Sequence, residues 1–253
     1  TGGSGISTWA TDDLGNIWIG TVGSGTWLMK PDGSLRQFHI SGNTGRNHIN
    51  SVAVEGQNVW LGTSDGVLLL DRETGRLKAS YTTLELLPHN YISQVVVNRE
   101  DEVLVATKTD RLCYIHVTGG VRSEGFVMEG NRVNEIRSIS VGPEQTISAG
   151  TNGNGLFLFA ADTLLNYTED DGLLTNYCYS SMIASDGRIW TGHQKGFSIT
   201  NPATGSVRAY STEFGVRGDC LPNALAQLSD GTVCIGTTEG IVVYNPSLEP
   251  DSA

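Results

Sequence analysis

The residues able to do chemistry in this chain are scattered rather than clustered. Arg46, His48, His89, Tyr91, Arg132, Tyr177, Arg217 and Asp219 fall in Gly- and Asn-bearing stretches between apolar runs, and His193 ends one such run. Cationic, carboxylate and aromatic side chains gathered on one face suit a polyhydroxylated ligand: planar rings stack on its apolar faces while polar groups bond its hydroxyls. These nine are the candidate ligand-binding positions. The plainer expectations stand beside that one. Arg46, Arg132 and Arg217 also read as solvated or carboxylate-paired side chains, and His193 as a tolerated surface change. His48 and His89 have no Asp or Glu at ligand spacing, so neither a metal site nor a cofactor is expected.

Catalytic signatures are weak. Gly23-Ser24-Gly25 only loosely approaches a Gly-x-Ser-x-Gly elbow, and no strand-to-helix turn follows. Gly150–Gly155 lacks the lysine and helix of a phosphate loop. Glu135, Asp219, His89 and Tyr177 could serve a lyase or glycosidase, but nothing in their spacing demands it. Cys113, Cys178, Cys220 and Cys234 match no zinc or redox spacing and are expected as buried thiols. Cys178 and Cys220 are the one pair at similar places in neighbouring repeats.

What positions these residues is a repeat. One phrase recurs six times: NIWIGT (16–21), NVWLGT (58–63), EVLVAT (102–107), QTISAGT (145–151), RIWTGH (188–193) and TVCIGT (232–237). Its small anchor residue is Gly20, Gly62, Ala106, Gly150, Gly192 and Gly236, at intervals of 42 to 44 residues. Thr follows it in five copies and His193 in the fifth. Each unit parses into four strand-like segments. In the second these are 49–55, 58–63, 67–71 and 76–82, separated by Gly, Asp and Asn turns that favour antiparallel hairpins. No segment sustains helical periodicity; 84–87 is at most one turn.

Within the second strand, Ile17, Val59, Val103, Ile147, Ile189 and Val233 form one column, and Trp18, Trp60, Leu104, Ser148, Trp190 and Cys234 the next. Adjacent columns point to opposite faces of a strand, so both faces are apolar and both must be covered. Sheets stacked radially, each shielding two neighbours, satisfy that requirement. The expected fold is all-β: a β-propeller of six four-stranded blades, at approximately 6–41, 47–83, 90–128, 134–169, 176–213 and 222–253, forming one domain over 1–253. The last blade is expected to lack its outer strand, since Pro250 cannot donate to a ladder where that strand would fall, at 249–253. Six blades could close or belong to a larger ring. Asn47, Asn90, Asn134 and Asn176, just before inner strands, are expected to cap turns.

Asp-x-x-Gly-x-Ile-Trp-Ile-Gly-Thr at 12–21, Asp-Gly-Arg-Ile-Trp-Thr-Gly at 186–192, and the Gly-Val or Gly-Leu opening of third strands at Gly66-Val67 and Gly155-Leu156 resemble the two-component regulator propeller repeat. The third unit departs most, with Ala106 at the anchor and Asp110-Arg111 where Gly is expected. The resemblance implies a periplasmic sensor region of a hybrid two-component histidine kinase that works by phosphorelay. It implies an oligosaccharide ligand, adjoining propeller and β-sandwich domains of the parent chain, and homodimeric signalling. On that reading the chain is not itself an enzyme. A protein-interaction scaffold and a polysaccharide lyase or glycosidase are the alternatives.

Composition narrows the partners. The chain has 253 residues, with 16 Lys+Arg against 27 Asp+Glu, for a net charge of −11. A nucleic-acid partner rewards clustered positive charge, which is lacking, so none is expected. No run of 18 apolar residues occurs, so direct membrane insertion by a helix is not expected. The start at Thr1, without Met, reads as a piece of something longer.

Overall fold

The computed structural model describes residues 5–40, 42, 44–99, 102–118, 120–125, 127–128, 131–132, 134–160 and 163–245. The chain is an all-β propeller whose blades are small antiparallel sheets in sequential strand order. It divides into two compact units, Thr1–Ile136 and Arg137–Ala253.

In the first unit, blade one comprises β1 (Ile6–Thr11), β2 (Ile17–Thr21), β3 (Thr26–Met29) and β4 (Leu35–Phe38). Blade two is β5 (Ile49–Glu55), β6 (Asn58–Thr63), β7 (Gly66–Asp71) and β8 (Leu77–Tyr81). Blade three is β9 (Ile92–Arg99), β10 (Glu102–Thr107), β11 (Arg111–His116) and β12 (Gly120–Gly125), followed by the short hairpin β13 (Val127–Met128) and β14 (Asn131–Arg132).

In the second unit, blade four is β15 (Ile136–Val141), β16 (Ile147–Thr151), β17 (Leu156–Ala160) and β18 (Thr163–Tyr167). Blade five is β19 (Ser180–Ile183), β20 (Ile189–His193), β21 (Gly196–Asn201) and β22 (Ser206–Ser211). Blade six shows β23 (Cys220–Gln227), β24 (Val233–Thr237) and β25 (Gly240–Tyr244). The expectation that this blade lacks an outer strand at 249–253 falls outside the described residues. Its inner strand starts at Cys220, two residues before the expected blade boundary at 222, because a register irregularity between Cys220 and Leu225 keeps Cys220 in the ladder opposite Thr237. Among the described residues, helical structure is confined to short 3-10 turns, one of them at Thr83–Glu85.

The faces pack as the columns require. Trp18 shares a core with Ile49, Val59 and Leu61 of blade two. Trp60 shares one with Ile92, Val103 and Val105 of blade three. In the second unit Trp190 packs with Cys220, Val233 and Ile235 of blade six. All three tryptophans are fully buried. Fully burying one apolar side chain of this size contributes about 1.5–3 kcal/mol, so these seams dominate local stability.

The anchor glycine fixes how closely blades approach. A Cβ on Gly20 would stand 2.6 Å from Ile49 Cγ2, and one on Gly62 2.8 Å from Ile92 Cγ2. In the second unit a Cβ on Gly150 would lie 2.9 Å from Cys178 Cβ, and on Gly192 2.8 Å from Cys220 Cβ. The first inner-strand side chain of each following blade therefore seats where a methyl would be. This explains two of the cysteines. Cys178 and Cys220 hold the position that Ile49, Ile92 and Ile136 hold elsewhere, and all four cysteines are free thiols. Burial pushes the Cys178 thiol up to about 12, so it stays protonated and inert.

Replacing Gly192 by Val should cost about 1–3 kcal/mol in a urea titration, through overpacking against Ser180 and Cys220. Gly187→Ala, at an open turn with nothing near its Cβ position, should cost less despite its positive φ.

Candidate functional site

Blade-to-blade loops and second-to-third-strand turns meet at one end of each blade. The turn's first amide donates to the carbonyl just before the inner strand: Ser64 N–H to His48 O (3.1 Å), Lys108 N–H to Tyr91 O (3.4 Å) and Thr238 N–H to Asp219 O (2.9 Å). The residues so held are His48, Tyr91 and Asp219; Glu135 and Tyr177 stand at the same position of their repeats, just before the inner strand. Thr at the end of the second strand shapes the adjoining turn. Thr63 Oγ1 donates to Gly66 O (2.8 Å) and accepts from Asp65 N–H (3.0 Å).

In the first unit the structure brings five side chains together as one triad and one pair. Arg46 Nε lies 3.6 Å from Asp65 Oδ2, and Asn90 Nδ2 donates to Asp65 Oδ1 at 3.2 Å. Lys108 Nζ sits 4.1 Å above the Tyr91 ring centroid, a cation–π contact. His89 is exposed, and its Nδ1 accepts from Tyr91 N–H at 2.8 Å. His48 is half-buried and bridges Val22 through its backbone. Asn47 and Asn90 are structural, as expected. Asn47 is buried, with its amide bonded both ways to the Ile40 backbone. Asn90 accepts from Thr83 N–H through its side chain. Arg132 lies in β14, but its side chain is outside the described set.

In the second unit Tyr177 is 52% exposed and pairs through its backbone with Asn152. Asn176 and Glu169 exchange backbone and side-chain bonds at 2.8 and 2.9 Å and brace that loop. Asp219 Oδ1 accepts from Lys195 N–H at 3.2 Å. Arg217 is exposed.

His193 corrects the expectation of a surface position. It is fully buried. Its Nδ1 lies 3.0 Å from Tyr177 O, which can only accept, so Nδ1 carries the proton. Nε2 then accepts from Ser198 Oγ at 3.0 Å, and Ser198 Oγ accepts from Leu174 N–H at 3.0 Å. The chain of bonds fixes Tyr177 from below. Two departures from the repeat explain each other: Ser198 stands where Leu68 and Phe157 stand in other blades, and it supplies the partner His193 needs. Burial lowers the imidazole pKa to about 4. Ser198 and His193 have the spacing of a nucleophile and base, yet both are sealed from solvent, so the pair orients a loop.

Sequence reasoning passed over Arg137 and Tyr179 on inner strands of the second unit. The Arg137 guanidinium carbon lies 5.6 Å from the Tyr179 ring centroid, and its shielded Nε has no hydrogen-bond partner. The available signal was their position, one residue after the Ile/Cys column. Among the described residues, no group of three or more His, Cys, Asp or Glu is placed to hold a metal ion. Among the same residues, no helix is long and apolar enough to cross a membrane.

The fold and these loop clusters define a β-propeller of antiparallel blades. No family model matches the chain, and no curated protein matches it. Solved structures do. The extracellular domain of BT3049, assigned as a hybrid two-component system of B. thetaiotaomicron, superposes with a TM-score of 0.74 at 18% identity over 98% of this chain. The corresponding domain of BT4673 from the same organism gives 0.65 at 18% identity over 98% of this chain. This chain spans only 40% and 39% of the length of those two. An inactive variant of virginiamycin B lyase from Staphylococcus aureus, with quinupristin, gives 0.70 at 13% identity over 97% of this chain and 86% of that one. At such identities the likeness is one of fold.

Folded His193 stays neutral to about pH 4, while the unfolded side chain titrates near 6.5. Between these values the unfolded chain binds the extra proton. Stability should therefore be full above about pH 6.5 and fall toward pH 4, at no more than about 1.4 kcal/mol per pH unit from this group. His193→Thr should flatten that segment in denaturant titrations across pH, and cost about 1–3 kcal/mol at pH 7 by orphaning Ser198.

Proposed function

We propose that this chain is the extracytoplasmic ligand-sensing propeller of a hybrid two-component receptor, facing the periplasm and recognising an oligosaccharide. The observation that carries the reading is the whole-chain likeness to the BT3049 extracellular domain, at a TM-score of 0.74. The loop chemistry fits it. In the first unit Tyr91, backed by Lys108, follows Asn90, which bonds Asp65 beside Arg46; in the second unit, taken by itself, Tyr177 is half-exposed and Asp219 holds the Lys195 amide. A sugar ring presents axial C–H groups to such a face and hydroxyls to such neighbours.

Signal transfer in this reading is by rigid-body rearrangement. Four blades, anchored at Gly20, Gly62, Gly150 and Gly192, are pinned by apolar seams whose geometry leaves no room for a methyl, so these blades do not bend smoothly under a ligand. A ligand shifts an equilibrium only through differential affinity for two arrangements. Those arrangements belong to the contacts of this propeller with adjoining propeller and β-sandwich domains or within a receptor homodimer. A histidine kinase and phosphorelay would read them out. The parent polypeptide is then the enzyme, and this part of it is not.

Titration calorimetry with a panel of glycan fragments tests the proposal. One fragment class should bind, and Tyr91→Ala or Tyr177→Ala should weaken it at least about tenfold, the scale of one lost aromatic contact. Silence across the panel would remove the sensing assignment. The lyase likeness gives a second reading specific content: release of unsaturated products from a polysaccharide, abolished by Glu135→Gln or His89→Ala, would favour an enzyme instead.

A further inference from the structure

The seam between blades four and five, both in the second unit, departs from the repeat on each side. In the row across β19, β20 and β21 that faces blade four, Ser181, Thr191 and Ser198 stand directly opposite one another. The same row is Val52, Leu61 and Leu68 in blade two and Val95, Val105 and Cys113 in blade three. In blade six it is Leu225, Ile235 and Val242. Blade four answers with Ser148, in the column where Trp18, Trp60 and Trp190 stand. Ser138, Ser148, Thr191 and Ser198 are fully buried, and Ser181 nearly so.

These hydroxyls form two clusters. Ser138 Oγ and Ser148 Oγ donate to Ser181 Oγ at 3.2 and 3.3 Å. Ser198 Oγ accepts from Leu174 N–H and donates to His193 Nε2. Thr191 stands between the clusters, and its shielded Oγ1 has no hydrogen-bond partner among the described residues. Each cluster has one bond left to make toward it. Ser181, accepting twice, keeps its own proton to donate, and Ser198 keeps a second lone pair. A shielded hydroxyl left unbonded costs free energy, and native interiors rarely leave one.

The seam also has room. A Cβ on Gly150 would lie 2.9 Å from Cys178 Cβ, and one on Gly192 2.8 Å from Cys220 Cβ. At that contact blades four and five are held as far apart as blades five and six, where Trp190 fills the seam. Ser148 puts a hydroxymethyl in place of the indole, and the facing row is smaller as well. Nothing in blade four compensates, since Leu158 and Tyr167 only match Leu69 and Tyr81, which hold the same places in blade two alongside Trp60.

We infer that this seam binds an internal water molecule, seated between Ser181, Thr191 and Ser198. The water accepts from the hydroxyls of Ser181 and Thr191 and donates to Ser198 Oγ, and about three bonds is the normal complement of a buried water. An apolar occupant would leave all three groups unpaired. The water joins the serine cluster to the Ser198–His193 chain that fixes the Tyr177 carbonyl, so the support of that loop extends across two blades.

A high-resolution crystal structure of the 253-residue chain tests the site. Density should show one water within hydrogen-bond distance of Ser181 Oγ, Thr191 Oγ1 and Ser198 Oγ. Thermal melting of Thr191→Val supplies an independent sign. The substitution keeps the shape and removes the hydroxyl, so it should lower Tm by about 2–4 °C by stripping a bond from the water. A hydroxyl with no water beside it predicts the opposite sign, because valine then relieves an unmet polar group. Direct contact among the three hydroxyls, a molecule larger than water in the seam, or a Thr191→Val chain at least as stable as the parent would each overturn the inference.

Discussion

The structure depends on one close contact repeated along the chain: a second-strand position without a Cβ, against which the next blade's inner strand seats a branched or thiol side chain. Gly20 receives Ile49, Gly62 receives Ile92, Gly150 receives Cys178 and Gly192 receives Cys220. The contact sets the separation of the sheets, and the tryptophan column fills what remains. Trp18 stacks on Phe38 and Trp190 on Phe197 at centroid separations of 5.6 Å. Because interiors are packed to crystalline density, an ångström of extra separation would open every seam, and an extra methyl would force it open.

The same contact places the loops. The residue just before each of Ile49, Ile92, Ile136, Cys178 and Cys220 is His48, Tyr91, Glu135, Tyr177 or Asp219, so this polar and aromatic column is held one peptide away from the closest packing in the blade. Loops on such a base vary freely in chemistry without moving, which is why receptor and lyase propellers share this fold. Beneath Tyr177 the protein adds a second support. A neutral, buried His193 donates to the Tyr177 carbonyl and accepts a hydrogen bond from Ser198, turning two polar departures from the repeat into a fixed post.

Much of this was legible in the residues. The sixfold phrase gave strand positions within a residue or two, and paired apolar columns required sheets covered on both sides; Trp18, Trp60 and Trp190 are buried accordingly. Asn47 and Asn90 serve the turns. Other features resisted for physical reasons. His193 ends a strand beside a turn, a position that reads as surface until Ser198, five residues on in the paired strand, is seen to meet it. Cys178 and Cys220 look like a pairable couple because they occupy equivalent places, whereas equivalent places in successive blades each face the preceding blade's glycine. The inner strand of blade six was placed late because Pro222 obscured a ladder that its irregular register preserves. Which loops bind a ligand is not encoded in the repeat at all, since the repeat specifies only what is common to every blade.

A double-mutant cycle on Gly62 and Ile92 measures the central contact most directly. Gly62→Ala places a methyl against Ile92, and Ile92→Ala removes the Cγ2 atom that it strikes. If that contact governs blade spacing, the double variant should be more stable than the sum of the single losses predicts, by about 1 kcal/mol or more. Strict additivity of the two losses would contradict it.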